Sequence, residues 1–302
     1  MERPMTLSRI ALIGFGEVGQ ILGKDLAANG IEDISAWDLK FDDTDSGPSH
    51  ALTGNYVTAG ADVRDAVRDA DLVISAVTAA QTIAAAQSVA DAIRPDVFFA
   101  DMNSASPSVK TKAAAIINDA GGRYVDVAVM APITPKRLAT PMLMGGPHAQ
   151  ALIDAASGLG FDGAVFFDDA YGKAAAAKMC RSIVVKGMEA LLTEALLTAR
   201  HYRVDASVIA SLDDLFPGQD WDRLAHYMIA RSLEHGARRA EEMREVAQTV
   251  SEANVAPLMS AACAERQDWA AAHKAAINEA ELIPMLDAIL KTIQADKDAG
   301  AC

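Results

Sequence analysis

Cysteine is scarce in this sequence, and the motifs of several common enzyme classes are absent. The 302 residues contain three cysteines, Cys180, Cys263 and Cys302, and none of them forms a CxxC pair. We therefore expect reduced thiols, no disulfide framework, no metal centre and a cytoplasmic location. The six histidines form no HExxH motif, and neither a GxSxG elbow nor a P-loop occurs. These absences argue against a zinc peptidase, an α/β-type serine hydrolase and a P-loop nucleotidase.

Positive charge and long apolar runs are also in short supply. Aspartate and glutamate number 41 against 27 lysines and arginines, which gives a net charge of −14. Because nucleic-acid binding needs a basic face, we expect no nucleic-acid partner. No apolar run approaches the roughly 20 residues of a membrane-spanning helix, and the first residues form no apolar export signal. We expect neither a membrane partner nor export.

The first half of the chain alternates short strand patterns with helical ones. Several strand patterns are continuous apolar runs, which is typical of a parallel sheet covered by helices on both faces. The predicted strands are residues 9–13, 33–37, 72–77, 97–101, 124–129, 141–144 and 164–167. The predicted helices between them are residues 18–29, 61–70, 80–93, 108–118 and 149–157. This alternation predicts an α/β Rossmann domain, with a doubly wound parallel sheet, over residues 1–170.

The second half of the chain has only helical periodicity. Residues 172–201 contain no proline and predict one long interdomain helix. Further helices are predicted at residues 220–250, 257–272 and 279–293, with turn-forming proline and glycine between them. We therefore expect an all-helical domain for substrate binding or dimerisation over residues 171–302.

A glycine-rich turn follows the first predicted strand. Its sequence is Gly14-Phe15-Gly16-Glu17-Val18-Gly19, which fits the GxGxxG pattern of dinucleotide-binding proteins. Gly14 permits the tight turn, Gly16 lets the backbone approach a pyrophosphate, and Gly19 allows the next helix to pack closely on the strand. The diphosphate is expected at the N-terminus of that helix, where N–H groups favour an anion. The alternative is a glycine turn in an α/β protein that binds no dinucleotide.

Asp38 directly follows the second predicted strand, at the distance from the turn that the dinucleotide motif requires. Its carboxylate can accept hydrogen bonds from both adenosine ribose hydroxyls, and it would repel a 2′-phosphate. We therefore predict NAD as the cofactor. NADP is the alternative because Lys40 lies two residues further on.

Three more segments, all after the glycine turn in the chain, carry recognisable motifs. Residues 101–107 read Asp-Met-Asn-Ser-Ala-Ser-Pro, residues 125–146 contain Asp126 ahead of a loop, and residues 172–178 read Gly-Lys-Ala-Ala-Ala-Ala-Lys. In this order they resemble the β-hydroxyacid dehydrogenase and 6-phosphogluconate dehydrogenase family, whose matching motifs are Asp-x-Ser-Ser/Thr-x-x-Pro and Gly-x-Gly-x-x-x-Lys. Ala174 replaces the second glycine of the last motif. The resemblance covers most of the chain and implies an NAD(P)-dependent oxidoreductase.

The resemblance implies that Lys178 is the general acid/base that takes the hydroxyl proton as hydride passes to the nicotinamide. Asn103 and Ser104 follow a buried strand at the edge of the sheet where ligands bind, so they can donate to a substrate. Two alternatives stay open: polar residues before Pro107 cap a helix, and Lys178 lies on a solvated helix face. The expected catalytic residues are Lys178, Asn103 and Ser104, and the expected cofactor-binding residues are Gly14, Phe15, Gly16, Glu17, Val18, Gly19, Asp38, Val77, Thr78 and Asn103.

Departures from the family pattern fall on substrate recognition. Met130-Ala131-Pro132 stand where the family has a Ser-Gly-Gly loop that contacts the substrate carboxylate, and Ser182 stands where it has an asparagine. Arg181 can supply a bidentate carboxylate clamp instead. Residues 235–243 resemble a variant C-terminal domain of phosphogluconate-dehydrogenase-like proteins, in which Arg238 or Arg239 with Glu242 replaces a Lys-Asp pair, although an exposed helix would have the same pattern. The expected substrate-binding residues are Met130, Ala131, Pro132, Arg181, Ser182 and Arg239.

These patterns together predict an NAD(P)-dependent dehydrogenase that acts on the 3-hydroxyl group of a small hydroxy acid or related alcohol. One alternative is an imine reductase, against which Lys178 counts. The other is a non-catalytic dinucleotide-binding or sensor protein. By analogy we expect a homodimer, because the apolar faces of the helical domain need a cover.

Overall fold

A single eight-stranded sheet organises the first half of the chain in the computed structural model, which describes residues 7–54, 56–212, 214 and 216–300. The strands are β1 (Arg9–Ile13), β2 (Asp33–Trp37), β3 (Thr58–Ala59), β4 (Leu72–Ser75), β5 (Phe98–Asp101), β6 (Arg123–Val129), β7 (Met142–Gly145) and β8 (Ala164–Asp168). They lie in the order β3-β2-β1-β4-β5-β6-β7-β8. Neighbouring strands pair parallel, except that β6 and β7 pair antiparallel.

Helices cover both faces of this sheet. They are α1 (Glu17–Ala28), α2 (Gly47–Ala51), α3 (Val63–Val67), α4 (Thr82–Ala90), α5 (Pro107–Asp119), α6 (Ile133–Lys136) and α7 (Ala149–Ala155). Successive residues of β1 point to opposite faces, so Leu12 belongs to one apolar core and Ala11 and Ile13 belong to the other. The continuous apolar strands of the sequence are explained by this double burial, and the predicted Rossmann fold is confirmed.

The winding of the sheet reverses at β1. This strand has β2 on one side and β4 on the other, which makes the carboxyl ends of β1 and β4 the point where the strand order changes direction. Ligands of open α/β sheets bind in the crevice at such a point. The residues that follow β1, β4 and β5 therefore lie where a dinucleotide and its substrate are expected.

The predicted elements lie at the predicted places in the chain, and several of them differ in length from the prediction. β1 and β2 have the predicted bounds, whereas β4 ends at Ser75 and α3 covers five residues of the ten predicted. The sequence pattern missed β3, which is two exposed residues long. It also missed the short helices α2 and α6, because segments of four or five residues carry no full helical period.

The second half of the described chain is helical. Its helices are α8 (Lys173–His201), α9 (Asp205–Leu212), α10 (Trp221–Glu252), α11 (Leu258–Ala271) and α12 (Leu282–Gly300). Their apolar core contains Leu196, Ile229, Leu233, Met285 and Leu286. The predicted long helix, the helical domain and the fold class are thereby confirmed, while α9 was not predicted.

The chain divides into two compact units, one ending at Met179 and the other beginning at Cys180. Both residues lie within α8, and the change from mixed to purely helical structure falls between β8 and α8. The domain boundary after residue 170 stays a prediction. Within the described ranges, no helix has the length and apolar character of a membrane span.

Candidate active site

The glycine turn connects β1 to α1 in a conformation that requires its first glycine. Gly14 has φ +93°, which a residue with a side chain rarely adopts. A Cβ at Gly14 would lie 2.5 Å from the carbonyl oxygen of Ala76, in the loop after β4. The turn is held in the sheet by a 2.9 Å hydrogen bond from the Gly14 N–H to the Trp37 carbonyl. Gly14 therefore lets two loops approach closely at the carboxyl edge of the sheet.

Gly16 and Gly19 have different surroundings. A Cβ at Gly19 would collide with the carbonyl oxygen of Gly14, so this glycine is needed for the packing of α1 on the turn. No atom lies within 4 Å of the Cβ position at Gly16, the residue before α1 begins. The N–H groups of a helix's first turn have no partner within the helix and attract anions. The open space at Gly16 fits a pyrophosphate.

Phe15 contributes to the site through its main chain. Its side chain is buried in the apolar core and meets the ring of Phe41 edge-on at 6.0 Å. Its N–H donates to Asp38 Oδ2 at 2.7 Å, and Asp38 Oδ1 accepts the N–H of Lys40 at 2.9 Å. Asp38 is thus oriented by two main-chain donors at the end of β2. Each carboxylate oxygen retains a further lone pair that can accept a ribose hydroxyl.

Glu17 and Val18 complete the turn. The Val18 side chain is half-buried against the apolar core, whereas Glu17 is exposed and accepts the Thr134 hydroxyl at 3.0 Å. Arg137 forms a second link to α1 through a two-pronged pair with Asp25. The segment after β6 is therefore fastened to the helix that begins at the glycine turn.

Asn103 joins the carboxyl ends of two adjacent strands. Its Oδ1 accepts the N–H of Val77 at 2.7 Å, and its Nδ2 donates to Ser75 Oγ at 3.0 Å. Thr78 is exposed in the loop after β4, which also contains Val77. The Asn103 amide thus fixes the loop after β4, while its contact with substrate or cofactor stays a prediction.

Ser104 and Lys178 meet in the structure. Lys178 Nζ donates to Ser104 Oγ at 2.7 Å, although 74 residues separate them in the sequence. Ser104 lies between β5 and α5, and Lys178 lies in the second turn of α8. Both side chains are half-buried. Two residues predicted to be catalytic therefore share one hydrogen bond at the edge of the sheet that also holds the glycine turn.

A buried ionic cluster lies next to the segments that carry Ser104 and Lys178. Asp101 and Asp126 stand side by side on β5 and β6, and neither is exposed. Lys110 of α5, 1% exposed, lies 3.0 Å from Asp101 Oδ1 and 3.3 Å from Asp126 Oδ1. The second distance is within ion-pair range, but its geometry is not that of a hydrogen bond. A buried charge needs such partners because it has lost its water.

Tyr124 adds a donor to the cluster. Its hydroxyl donates to Asp101 Oδ2 at 2.7 Å. Burial raises the pKa of Tyr124 well above its usual value, and the nearby Asp101 and Asp126 carboxylates raise this pKa further. The phenol therefore stays protonated and keeps its hydrogen bond at any ordinary pH.

The family of the chain follows from comparison with known proteins. The NAD-binding domain of 6-phosphogluconate dehydrogenase matches residues 9–159, which are 151 of the 302 residues. The chain belongs to this family. A domain of unknown function (DUF1932) matches residues 199–270. The family predicted from the four sequence motifs is confirmed, the cofactor is NAD(P), and the protein is an oxidoreductase.

Similar proteins cover from two thirds to nearly the whole of the chain. A conserved hypothetical protein from Sinorhizobium meliloti is 33% identical, with a TM-score of 0.73 over 95% of this chain and 97% of its own. An uncharacterised 28.5 kDa protein from Methanothermus fervidus is 27% identical over 66% of this chain and 75% of its own. The 3-hydroxyisobutyrate dehydrogenase of Mycobacterium tuberculosis is 19% identical, with a TM-score of 0.71 over 95% of this chain and 99% of its own. The last comparison shows a shared fold.

The loop after β6 in this member of the 6-phosphogluconate dehydrogenase family offers few polar groups. The Met130 N–H is already bonded to the Pro141 carbonyl at 2.9 Å. Pro132 is exposed and has no N–H, and Ala131 is half-buried. A role of this loop in substrate binding stays a prediction.

The other predicted substrate residues lie on α8 and α10 of the helical unit. Arg181 is exposed and Ser182 is buried. Arg239 is 6% exposed, and its guanidinium pairs with the buried carboxylate of Glu189. Removal of one partner from such a pair is costly, so this ion pair contributes to the integrity of the unit.

A second ion pair lies beside the first. Glu242 accepts Lys186 Nζ at 2.5 Å and Arg238 at 3.0 Å. Burial lowers the pKa of Lys186, and the Glu242 carboxylate opposes this effect. The predicted association of Arg238 with Glu242 is present, and its contact with substrate stays a prediction.

Lys110 and Tyr124 were not among the site residues predicted from the sequence. Lys110 lies three, four and seven residues before Ala113, Ala114 and Ile117, and all four are buried on one face of α5. A lysine at the first position of an apolar helical stripe is unusual and indicates a buried partner. This signal was available in the sequence of this family member, whereas the identity of the partners required the strand pairing.

Proposed function

We propose that the protein is an NAD(P)-dependent dehydrogenase that acts on the 3-hydroxyl group of a small hydroxy acid or related alcohol. The observation that carries the proposal is the 2.7 Å hydrogen bond between Lys178 Nζ and Ser104 Oγ. Ser104 of this pair follows β5 at the carboxyl edge of the parallel strands, and the glycine turn follows β1 at the same edge. The proposed proton-transfer group and the proposed dinucleotide-binding turn would thus be held by one rigid scaffold.

Each side chain has a distinct task in this proposal. The bound dinucleotide supplies the hydride acceptor. Lys178, in its neutral form, takes the hydroxyl proton at Nζ as the substrate carbon loses hydride, and in the reverse direction it returns that proton. Ser104 keeps the amine oriented and offers its hydroxyl to the substrate oxygen. Asp38 binds the adenosine ribose hydroxyls, and the N–H groups at the start of α1 bind the pyrophosphate.

Arg181 is our proposed partner for the substrate carboxylate. It follows Lys178 by three residues on α8, and its side chain is exposed. A guanidinium can hold a carboxylate through two parallel hydrogen bonds. The apolar residues Met130 and Pro132 would then contact the uncharged part of the substrate, because they offer it no N–H donor.

The substrate class is tested with a panel of hydroxy acids, sugar acids, amino alcohols and cyclic imines, each assayed with NAD(H) and NADP(H). We expect turnover of at least one 3-hydroxy acid or related alcohol, and none of the imines. Turnover of imines alone would replace the proposal with an imine reductase. Cofactor binding without turnover across the panel would support a sensor protein instead.

Asp38 is expected to make NADH bind more tightly than NADPH, because its carboxylate repels the 2′-phosphate. Asp38→Asn removes the charge and keeps an oxygen that can accept the Phe15 N–H, so we expect it to narrow this preference about tenfold. Fluorescence titration of both reduced cofactors measures the change. Asp42→Asn removes an exposed charge four residues away and is the matched control. Tighter binding of NADPH by the wild type would contradict the role of Asp38.

The homodimer and the cytoplasmic location stay predictions. The exposed side chains of Val184 and Leu191 lie seven residues apart on α8, which puts them on one face of the helix. An exposed apolar face of this kind supports the proposed dimer.

A further inference from the structure

Lys110 is linked to two parts of the site, which we call its anchors. The first is the end of β5, just before the loop that carries Ser104, and the second is the first turn of α8, the helix that carries Lys178. We infer that Lys110 is a positioning residue that holds the Ser104 hydroxyl against the Lys178 amine. The inference rests on the proposed function only in so far as Lys178 transfers the proton. The contact that Lys110 positions is the 2.7 Å hydrogen bond between those two side chains.

The first anchor is the end of β5. Lys110 Nζ donates to the main-chain carbonyl of Asp101 at 2.7 Å and lies 3.0 Å from its Oδ1. The same Oδ1 accepts the N–H of Asn103 at 2.9 Å. Ser104 is the next residue. The Ser104 hydroxyl is therefore positioned by two successive contacts, from the Lys110 amine to Asp101 and from Asp101 to the Asn103 N–H.

The second anchor is the first turn of α8. Asp126 lies 3.3 Å from Lys110 Nζ through Oδ1, and its Oδ2 accepts the N–H of Ala175 at 3.2 Å. Lys178 follows Ala175 by three residues, which puts it about one turn further along the same side of the helix. A displacement of Asp126 is therefore transmitted to Lys178 through one turn of continuous helix.

The two helices are brought together by Gly172. This residue precedes α8 and has φ +84°, and a Cβ on it would lie 3.0 Å from the carbonyl oxygen of Pro107, where α5 begins. Lys110 lies one turn into α5. The starts of α5 and α8 thus converge on the two carboxylates, and the N-terminal end of each helix favours negative charge.

Stability alone does not account for a lysine at this position. The buried neighbours on the same face of α5 are Ala113, Ala114 and Ile117, and buried ion pairs can often be replaced by packed apolar side chains without loss of stability. An apolar side chain cannot hold three oxygen atoms from two strands at once. The lysine amine has three donors and contacts the Asp101 carbonyl, Asp101 Oδ1 and Asp126 Oδ1. What distinguishes lysine from an apolar residue at this position is therefore that its amine holds these three oxygen atoms together.

The test measures how fast acetic anhydride acetylates Lys178 in the folded protein, with the modified peptide quantified by mass spectrometry. The wild type, Ser104→Ala, Lys110→Met and the double variant are compared. Loss of the Ser104 hydrogen bond is expected to raise the Lys178 rate about fivefold. Lys110→Met is expected to raise it by a similar factor. The double variant is expected to show no further increase, because both substitutions remove the same contact.

Lys186→Met is the matched control, since Lys186 is also buried and paired with a carboxylate but belongs to the helical unit. It is expected to leave the Lys178 rate within about twofold of the wild type. An unchanged Lys178 rate in Lys110→Met overturns the inference, and so does a double variant in which the two factors multiply. If Lys110→Met does not fold, Lys110→Gln replaces it, with the same expected and contrary results.

Turnover is measured on the same variants with a substrate from the panel. If the acetylation rate of Lys178 responds to the Ser104 and Lys110 substitutions as expected but no compound of the panel is turned over, the positioning role stands and the proposed function fails. If turnover requires Lys178 but the acetylation rate of Lys178 is unchanged in Lys110→Met, only the positioning role fails. The two proposals therefore fail under different results.

Discussion

Lys178→Met is expected to lower kcat by about 10²- to 10⁴-fold, the usual contribution of a positioned acid/base, and to leave dinucleotide binding unchanged. Methionine has a length similar to that of lysine and no amine, so it can fill the half-buried position beside Ser104 and cannot accept the hydroxyl proton. Steady-state rates with an accepted substrate and fluorescence titration of NADH measure the two effects. A loss of kcat with unchanged cofactor affinity places the defect in the chemical step.

Lys173→Met is the matched control for this substitution. Lys173 is five residues earlier on the same helix, is exposed, and pairs with Asp168 at 2.7 Å. Exposed ion pairs contribute little, so its kcat is expected to stay within about twofold of the wild type. If Lys178→Met turned over an accepted substrate at the wild-type rate, the proton would have to pass to another group, and the acid/base role of Lys178 would be rejected.

Gly16→Ala is expected to keep the fold and to weaken NADH binding about 10- to 100-fold, because the methyl group occupies the space where the pyrophosphate approaches the backbone. Gly16 has a φ of −72°, and no atom lies within 4 Å of its Cβ position, so alanine meets no obstacle in the protein itself. Thermal unfolding and NADH titration together separate folding from binding.

Gly14→Ala is the informative contrast. It is expected to lower both thermal stability and NADH affinity, because φ +93° is strained for alanine and its Cβ would lie 2.5 Å from the Ala76 carbonyl oxygen. Gly47→Ala, at the start of α2, has as much room as Gly16 and is expected to change neither quantity. NADH binding by Gly16→Ala at wild-type affinity would show that the pyrophosphate does not lie against this glycine.

The Rossmann fold was accessible from the sequence because its signals are local. Strands such as Arg9–Ile13 and Asp33–Trp37 are short runs of mainly apolar residues that are followed by glycine or aspartate, and their bounds were predicted correctly. The strand Thr58–Ala59 was missed because both residues are exposed, and its place in the sheet comes from pairing with β2. An edge strand of two residues has no periodicity to detect.

The candidate site shows the same division between local and long-range information. Ser104 and Lys178 were predicted separately from two motifs, and the structure brings them within one hydrogen bond. The buried pairing of Arg239 with Glu189 was not predicted, because the partners are 50 residues apart on different helices. Sequence patterns indicate which side chains are unusual for their position, whereas the fold decides which of them meet.

The hydrogen bond from the Phe15 N–H to Asp38 Oδ2 has a consequence for the evolution and redesign of cofactor preference. Asp38, the residue that we propose discriminates between NAD and NADP, also accepts the Phe15 N–H of the glycine turn, so one substitution would act on both cofactor preference and turn conformation. A residue without an oxygen acceptor at position 38 would leave the Phe15 N–H without this acceptor and loosen the turn that we propose binds the pyrophosphate. Lineages that change their cofactor through this position therefore need either an acceptor that remains at 38 or a compensating change in the turn.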